Sequence, residues 1–267
     1  MKTLVDTELQ YHIKLKQGDV GKYVILAGDP ERIPKIAEYF DDAKQIAYNR
    51  EYNTYTGFIN GVKVSAVSTG IGGASAAIAV EELIKCGADT FIRVGTSGGM
   101  NLKVLGGDIV IAGAAIRSEG TSREYMPIEY PATADFDVVT ALKKSAEELC
   151  DGSEGNSYHI GVVHSKDSFY GETNPETMAV ENELSEKWNQ YMRCGSLTSE
   201  MECAAIFSVA AVRNVRAGAV LTALWNVERA KTGEKHFITS DSTKAIKCAV
   251  NAVKLLIEND NGNLGNN

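Results

Sequence analysis

The stretch KYVILAGDPERIPKIAEYF, residues 22–40, decides the fold class of this chain. It begins with an apolar run rich in β-forming residues, which is typical of a buried strand, and this run ends at Gly28. Asp29 can then cap a helix, Pro30 suits its first position, and apolar residues recur beyond them at helical spacing. The stretch therefore predicts a strand that leads directly into a helix, the unit from which α/β proteins are built.

The same alternation continues along the chain. Short apolar runs predict further strands at residues 63–69, 90–95, 108–116, 158–165 and 217–225, and helical patterns predict helices within residues 70–87, 136–149, 200–214 and 241–257. No repeat or linker divides the chain, so we expect one domain over residues 1–258. The polar, glycine-rich residues 259–267 are predicted to form a disordered tail.

Composition argues against several classes of function. The 267 residues carry a net charge of −8, which disfavours a basic surface for nucleic acid or anionic membranes. The N-terminal residues lack the apolar core of a signal peptide, and no apolar segment approaches the ~18 residues that span a bilayer. Five cysteines without CxxC spacing are typical of reduced thiols. We therefore expect a cytoplasmic protein with no nucleic-acid or membrane partner.

An arginine interrupts one of the apolar strands. Arg93 lies within FIRVGTSGG, residues 91–99, and because a guanidinium keeps its charge, its burial requires an anionic partner. One alternative is an internal Asp or Glu. The other alternative is a bound phosphate. The glycine-rich turn predicted after Arg93 favours it, because backbone N–H groups and the Thr96 hydroxyl can surround an anion.

A second arginine begins the first helix. Arg32 lies in its first turn, where backbone N–H groups and the helix dipole attract anions, although pairing with Glu31 or Asp29 is an equal alternative. Arg50 lies in YNREYNTYTG, residues 48–57, a pattern that by itself indicates only a half-exposed strand.

SEMECAA, residues 199–205, places two carboxylates at the start of an apolar helix. Glu200 and Glu202 flank Met201, and acidic residues in a first turn usually serve as caps. Alternatively, a carboxylate can accept hydrogen bonds from vicinal sugar hydroxyls while the thioether lies against the apolar face of the sugar.

The motifs taken together resemble the nucleoside phosphorylase family, and most of all its uridine phosphorylase branch. They occur in the family's order and at roughly its separations: GDPER at 28–32, NREYNTYTG at 49–57, STGIGGASAAIAVEEL at 68–83, IRVGTSGG at 92–99, PIEYPATADFD at 127–137, SKDSFYG at 165–171 and SEMECAA at 199–205. The resemblance implies a single-domain three-layer α/β/α fold with a central mixed, partly barrel-like sheet. It also implies a homo-oligomer built from dimers, commonly a hexamer.

The resemblance assigns a phosphate site and a ribose site. Arg50, reaching across from a neighbouring subunit, would join the phosphate-binding residues Gly28, Arg32, Arg93, Gly95 and Thr96. Met201 and Glu202 would bind the ribose, with Glu200 beside them, and His12 would contact the 5′-hydroxyl from the adjacent subunit. Glu51, Ile71 and Ser75 match positions that hold a monovalent cation, such as K⁺, at the dimer interface in some relatives. No cofactor is otherwise implied, and inorganic phosphate is the co-substrate.

The implied reaction is the reversible phosphorolysis of uridine to uracil and ribose 1-phosphate. Arg93, Glu202 and Arg229 are its candidate catalytic residues, and the base would contact Phe169, Glu172, Thr96 and Asn226. Purine-specific relatives supply an Asp to protonate the base, where this chain has Asn226 in LWNVERAKTG, residues 224–233.

The chain departs from the uridine phosphorylase pattern at the base. Glu172 stands where Gln is expected, and ionised Glu172 can accept from uracil N3–H but cannot donate to a carbonyl, so Arg229 is the candidate donor. A purine nucleoside phosphorylase is the main alternative, because Glu172 could also accept from a purine N1–H. A hydrolytic nucleosidase and a catalytically silent nucleoside sensor are further alternatives.

Overall fold

A computed structural model describes residues 8–264 and shows an α/β chain. The strands are β1 Tyr23–Ala27, β2 Asp41–Asn49, β3 Tyr52–Ile59, β4 Val62–Ser68, β5 Thr90–Gly99, β6 Ile109–Ser118, β7 Ala132–Thr133, β8 Tyr158–Lys166, β9 Thr198–Glu200 and β10 Arg216–Asn226. The helices are α1 Arg32–Ala37, α2 Gly73–Lys85, α3 Thr121–Tyr125, α4 Phe136–Leu149, α5 Phe169–Thr173, α6 Glu181–Arg193, α7 Cys203–Arg213, α8 Val227–Thr232 and α9 Thr243–Leu264.

The strands form one mixed sheet that is partly closed. Their order is β10-β6-β8-β9-β5-β1-β4-β3-β2, and β10 also pairs with β5, so five of the strands form a ring. Within this ring the β5–β10, β6–β8 and β8–β9 pairs are parallel, whereas β10–β6 and β5–β9 are antiparallel. This closure confirms the mixed, partly barrel-like sheet that the family resemblance implied.

Helices cover both faces of the sheet. One apolar core contains side chains of α2 and α7, such as Leu83 and Phe207. The second core contains side chains of α1, α4 and α9, such as Ile36, Leu142 and Val253. The three-layer arrangement is therefore confirmed, with the sheet as the middle layer.

Two local predictions were wrong at their boundaries. The glycine-rich segment after Arg93 is not a turn: it continues β5 to Gly99, because this half of the strand pairs with β10 on one side and β9 on the other. The first helix begins at Arg32 rather than at Pro30, and no side chain caps it, although Asp29 Oδ1 accepts from the Glu31 N–H at 2.9 Å.

The C-terminal segment also differs from its prediction. Helix α9 continues to Leu264, whereas residues 259–267 were expected to be disordered; residues 265–267 lie outside the described residues. Asp260 in this segment forms an ion pair with Arg216 on β10, with an N–O distance of 2.6 Å, so the added turn is anchored to the sheet. None of the helices within residues 8–264 is long and apolar enough to cross a membrane.

Candidate active site

A cavity of about 630 Å³ lies where the carboxyl ends of β1, β4, β8 and β10 meet. Crevices at the carboxyl ends of parallel strands are the usual ligand sites of α/β sheets. The cavity collects most of the residues that the sequence singled out: Gly28, Arg32, Ile71, Arg93, Gly95, Thr96, Phe169, Glu172, Glu200, Met201 and Glu202.

Arg93 has internal carboxylate partners, which was the first of its two alternatives. Its Nε lies 3.2 Å from Oε2 of Glu200 and its Nη2 lies 2.5 Å from Oε2 of Glu202, and all three side chains are buried. Burial alone would lower the pKa of Arg93, but the carboxylates of Glu202 and Glu200 outweigh burial and raise it. The guanidinium nevertheless lines the cavity, so these partners position it beside the space where a ligand would bind.

Gly95 makes room for this guanidinium. A Cβ atom at Gly95 would lie 2.8 Å from Nη2 of Arg93 and 2.6 Å from Cδ2 of Leu221, both too close for any side chain. The glycine is therefore required by the position of Arg93 on the same strand.

Glu200 and Glu202 have different surroundings. Glu200 is 3% exposed and accepts hydrogen bonds from the backbone N–H groups of Glu202 and Cys203 and from the Ser165 hydroxyl. The cap interpretation therefore holds for Glu200, which fixes the start of α7 and Arg93 rather than offering a free carboxylate to ribose. Glu202 accepts from the Gly72 N–H at 2.7 Å through Oε1 and lines the cavity beside Met201.

Arg32 has no carboxylate partner within the described part of the chain. Pairing with Glu31 or Asp29 is not observed, and its Nη1 donates instead to the backbone oxygen of Val94 at 3.3 Å. Burial, followed by the positive charge of Arg93, lowers the pKa of Arg32. Two guanidinium groups therefore line one cavity and repel each other, an arrangement that a bound anion would stabilise.

Glu172 lines the cavity and belongs to a polar cluster that the sequence did not predict. Its Oε2 accepts from Lys166 Nζ at 2.8 Å and from the Ser199 hydroxyl, and His164 Nδ1 lies 3.7 Å away. Lys166 Nζ also donates to Ser199 Oγ at 2.7 Å and lies 5.9 Å from the centre of the Phe169 ring. A lysine at the end of an apolar strand, immediately before the DSFYG segment, was the available signal.

Asn226 and Arg229 do not line the cavity, so the structure gives no support to their assignments to base binding and catalysis. The fully buried amide of Asn226 donates to the backbone oxygens of Asn101 and Val104 and accepts from the Arg229 N–H, which caps α8. The Arg229 guanidinium donates to the backbone oxygens of Lys235 and Leu102. Both side chains therefore stabilise the loops around β10.

His12 and Arg50 also lie outside the cavity of their own chain. His12 Nδ1 lies 2.6 Å from Oε1 of Glu82, whose carboxylate also accepts from the backbone N–H groups of His12 and Ile13. Arg50 is exposed, has the left-handed φ of 56°, and its guanidinium lies 5.8 Å from the centre of the Tyr11 ring. Both residues lie next to Tyr11 at one surface of the chain.

The proposed cation ligands lie near one loop. Ser75 Oγ lies 3.3 Å from the backbone oxygen of Ile71, and the Glu51 side chain packs against Gly70. Carboxylate, hydroxyl and carbonyl oxygens are suitable ligands for a hard cation. Residues 8–264 contain no cluster of three His, Cys, Asp or Glu side chains that could hold a metal ion.

Comparisons with known proteins agree with this geometry. The family model for the phosphorylase superfamily matches residues 22–258. A uridine phosphorylase from Treponema pallidum (strain Nichols) is 51% identical over 260 residues, covering 97% of this chain and 99% of that protein. A uridine phosphorylase from Thermococcus kodakarensis is 45% identical over 257 residues, covering 94% and 88%. A guanosine phosphorylase from Halorubrum lacusprofundi is 39% identical over 213 residues, covering 80% and 82%.

Proposed function

The chain belongs to the phosphorylase superfamily, and from that premise we propose that it cleaves uridine with inorganic phosphate to give uracil and ribose 1-phosphate. It is an enzyme of the nucleoside phosphorylase type, a pentosyltransferase. The extent of similarity to two uridine phosphorylases supports uridine as the substrate, since both alignments cover more than nine-tenths of this chain.

One observation supports the phosphate site above all others: Arg32 and Arg93 line the same cavity, and Arg32 lacks a carboxylate partner among the described residues. A phosphate ion between them would remove their mutual repulsion and accept hydrogen bonds from both guanidinium groups. Gly28, Gly95 and Thr96 border the same part of the cavity and complete the proposed site.

The ribose would lie between this phosphate and Met201. Glu202 is held by Arg93 and by the Gly72 N–H, so its carboxylate is fixed before substrate arrives. A fixed carboxylate that accepts from the sugar hydroxyls would orient C1′ toward the phosphate, and correct orientation lowers the barrier of a two-substrate reaction. Phe169 is 44% exposed at the cavity wall and provides a ring against which the base or the sugar can stack.

The chemistry follows from this arrangement. A phosphate oxygen forms a bond to C1′ as the bond from C1′ to the uracil nitrogen breaks, and the electron pair leaves with uracil. The sugar becomes positively charged in the transition state, and the phosphate dianion, held by the two arginines, stabilises that charge. The departing uracil anion spreads its charge onto its carbonyl oxygens and later takes a proton from water.

We further propose that the working unit is a homo-oligomer built from dimers, expected as a hexamer, in the cytoplasm. Support comes from Arg50 and His12, which lie at the surface and outside their own cavity, where they can complete the phosphate and ribose sites of a neighbour. Glu51, Ile71 and Ser75 would hold a monovalent cation at the same interface, where it would stabilise the association of the subunits.

A second candidate substrate is guanosine. It is favoured by the similarity to a guanosine phosphorylase and by Glu172, whose carboxylate lines the cavity and can accept from a purine N1–H. Incubation of the enzyme with uridine, inosine or guanosine, each with and without phosphate, separates the candidates. We expect uridine to be cleaved fastest and only when phosphate is present; exclusive cleavage of purine nucleosides would contradict the proposal.

A further inference from the structure

The Lys166–Glu172 ion pair presents hydrogen-bonding groups that are complementary to one edge of a nucleobase. Lys166 ends β8 and Glu172 lies on α5, and both side chains line the cavity with only 10% and 8% of their surface exposed. Their Nζ–Oε2 distance is 2.8 Å. The pair therefore presents a cationic donor and an anionic acceptor side by side, shielded from solvent.

Each member retains hydrogen-bonding capacity. An ammonium group has three N–H donors, and Lys166 directs one to Glu172 and one to Ser199. The contacts of Glu172 with Lys166, Ser199 and His164 all involve Oε2, and Oε1 receives no hydrogen bond from residues 8–264. One ammonium N–H and one carboxylate oxygen are thus left for a ligand.

The charge state of Glu172 is fixed by the same neighbours. Burial alone would raise the pKa of Glu172, but the nearby His164 imidazole and the charge of Lys166 outweigh burial and lower it. Glu172 is therefore an ionised group at neutral pH, and an ionised carboxylate can only accept hydrogen bonds.

A donor next to an acceptor complements an edge that carries N–H beside C=O. Uracil has this edge at N3–H and its neighbouring carbonyl oxygen, and guanine and hypoxanthine have it at N1–H and O6. Cytosine and adenine present the reverse, a ring nitrogen lone pair beside an amino group. Those bases would direct a lone pair at the carboxylate and an amino group at the ammonium.

We propose that Lys166 and Glu172 together recognise the N–H/C=O edge of the base, so that the enzyme accepts nucleosides of uracil-type and hypoxanthine-type bases and rejects those of cytosine and adenine. This proposal rests on the proposed function and deepens it. Lys166 takes the donor role for which the sequence suggested Arg229, and its charge lies beside the carbonyl oxygen on which the leaving base accumulates negative charge.

The pair also connects the two substrate candidates. Uridine and guanosine differ in ring size but share the edge that Lys166 and Glu172 would bind. Relatives named uridine phosphorylase and guanosine phosphorylase are both similar to this chain, and in this chain a single pair matches the edge that both bases share.

The experiment measures kcat/KM with saturating phosphate for uridine, cytidine and 3-methyluridine, the last of which lacks the N3–H. The variants are Lys166→Met and Glu172→Gln, with Lys143→Met as the matched control, because Lys143 also pairs with a glutamate but is half-exposed on α4. Melting temperature and KM for phosphate are recorded for each variant to separate base recognition from misfolding.

For the wild-type enzyme we expect uridine to exceed both cytidine and 3-methyluridine by about 100-fold or more, since mismatched buried polar groups are costly. Lys166→Met should lower kcat/KM for uridine by about 100-fold with phosphate KM unchanged. Glu172→Gln, whose amide can present either its oxygen or its nitrogen, should reduce the uridine-to-cytidine ratio by about 10-fold. Lys143→Met should match the wild type in every measurement.

If wild-type enzyme cleaves uridine but Lys166→Met and Glu172→Gln keep both its rate and its uridine-to-cytidine ratio within about twofold, this proposal is wrong and the proposed function stands. If the wild type cleaves no nucleoside, the proposed function is wrong. Calorimetric binding of free uracil and free cytosine then tests the pair without turnover: selective uracil binding that Lys166→Met removes supports it, and equal binding of both bases overturns it.

Discussion

Oε2 of Glu202 lies 2.5 Å from Nη2 of Arg93, and this contact joins the proposed ribose carboxylate to the proposed phosphate guanidinium. Glu200 contacts Nε of the same guanidinium and also accepts from the first N–H groups of α7. The arrangement pre-positions groups for both substrates before either binds. It also makes Arg93 a structural residue as well as a candidate catalytic one.

Arg93→Lys and Arg93→Ala should therefore fail in different ways. Lysine keeps the charge but cannot contact two carboxylates in the planar geometry of a guanidinium, so we expect a stable enzyme with kcat/KM for phosphate about 100-fold lower. Alanine leaves Glu200 and Glu202 buried without a cation, which should lower the free energy of unfolding by roughly 3–5 kcal/mol. Denaturant unfolding and initial rates measure both effects. Near-normal phosphate kinetics in Arg93→Lys would remove Arg93 from the mechanism.

Arg32→Ala should remove phosphate binding without destabilising the protein. Arg32 has no carboxylate to leave unpaired within the described chain, and its loss removes repulsion toward Arg93. We expect the KM for phosphate to rise about 100-fold while the melting temperature without phosphate stays equal or increases. Lys35→Ala, an exposed position on the same helix, is the control. A variant that phosphate still stabilises as strongly as it does the wild type would exclude Arg32 from the site.

Variants of Arg50 test whether each active site contains residues of two subunits. Arg50→Ala alone should be nearly inactive but fully folded, because the Arg50 side chain is exposed and forms no ion pair with residues 8–264. Co-expression of Arg50→Ala with Arg32→Ala should restore part of the activity, since some mixed interfaces contain one site with both arginines intact. Activity that stays at the level of the two separate variants would mean that each chain completes its own site.

The ion pair between Asp260 and Arg216 predicts how the stability of the protein depends on pH. The hydrogen bond from Arg216 lowers the pKa of Asp260 from its ordinary value of 3.8 to about 2. A lowered carboxyl pKa adds stability that is complete above pH 4 and is lost as the pH falls toward 2. Asp260→Asn should therefore melt earlier than the wild type at pH 7, by an amount equivalent to about 1 kcal/mol, and the difference should disappear near pH 2. An unchanged difference at low pH would contradict the assigned ion pair.

The sequence predicted the fold from features that depend on local chemistry. Apolar runs followed by glycine marked β1 and β4, and helix α4 was predicted with its observed bounds. Helix α9 was also predicted, but it ends at Leu264 rather than at residue 257. The boundary at Gly99 failed because a glycine-rich sequence usually indicates a turn, whereas here both edges of the strand are paired. Such pairing involves residues far apart in the sequence, such as Gly99 and Thr198, which periodicity cannot reveal.

In the candidate site, too, local features could be predicted from the sequence and long-range contacts could not. The motifs singled out Arg32, Arg93 and Glu202, and all three line the cavity: Arg32 begins α1, Arg93 lies within β5, and Glu202 immediately precedes α7. Asn226 and Arg229 lie outside the cavity because the Asn226 amide donates to backbone oxygens, and the Arg229 guanidinium contacts backbone oxygens and the Glu234 carboxylate. No local sequence pattern predicts these contacts. Lys166 was overlooked because its meaning depends on Glu172, which comes close to it only in the folded chain.

The central claim is that Arg32 and Arg93 hold an inorganic phosphate that attacks C1′ of uridine. The most direct measurement is uracil release from uridine by the wild-type enzyme at increasing phosphate concentration, with the sugar product identified in the same reaction. We predict that release requires phosphate, that it saturates with phosphate, and that one ribose 1-phosphate forms for each uracil. Uracil release at an undiminished rate in phosphate-free buffer, with free ribose as the product, would contradict the account.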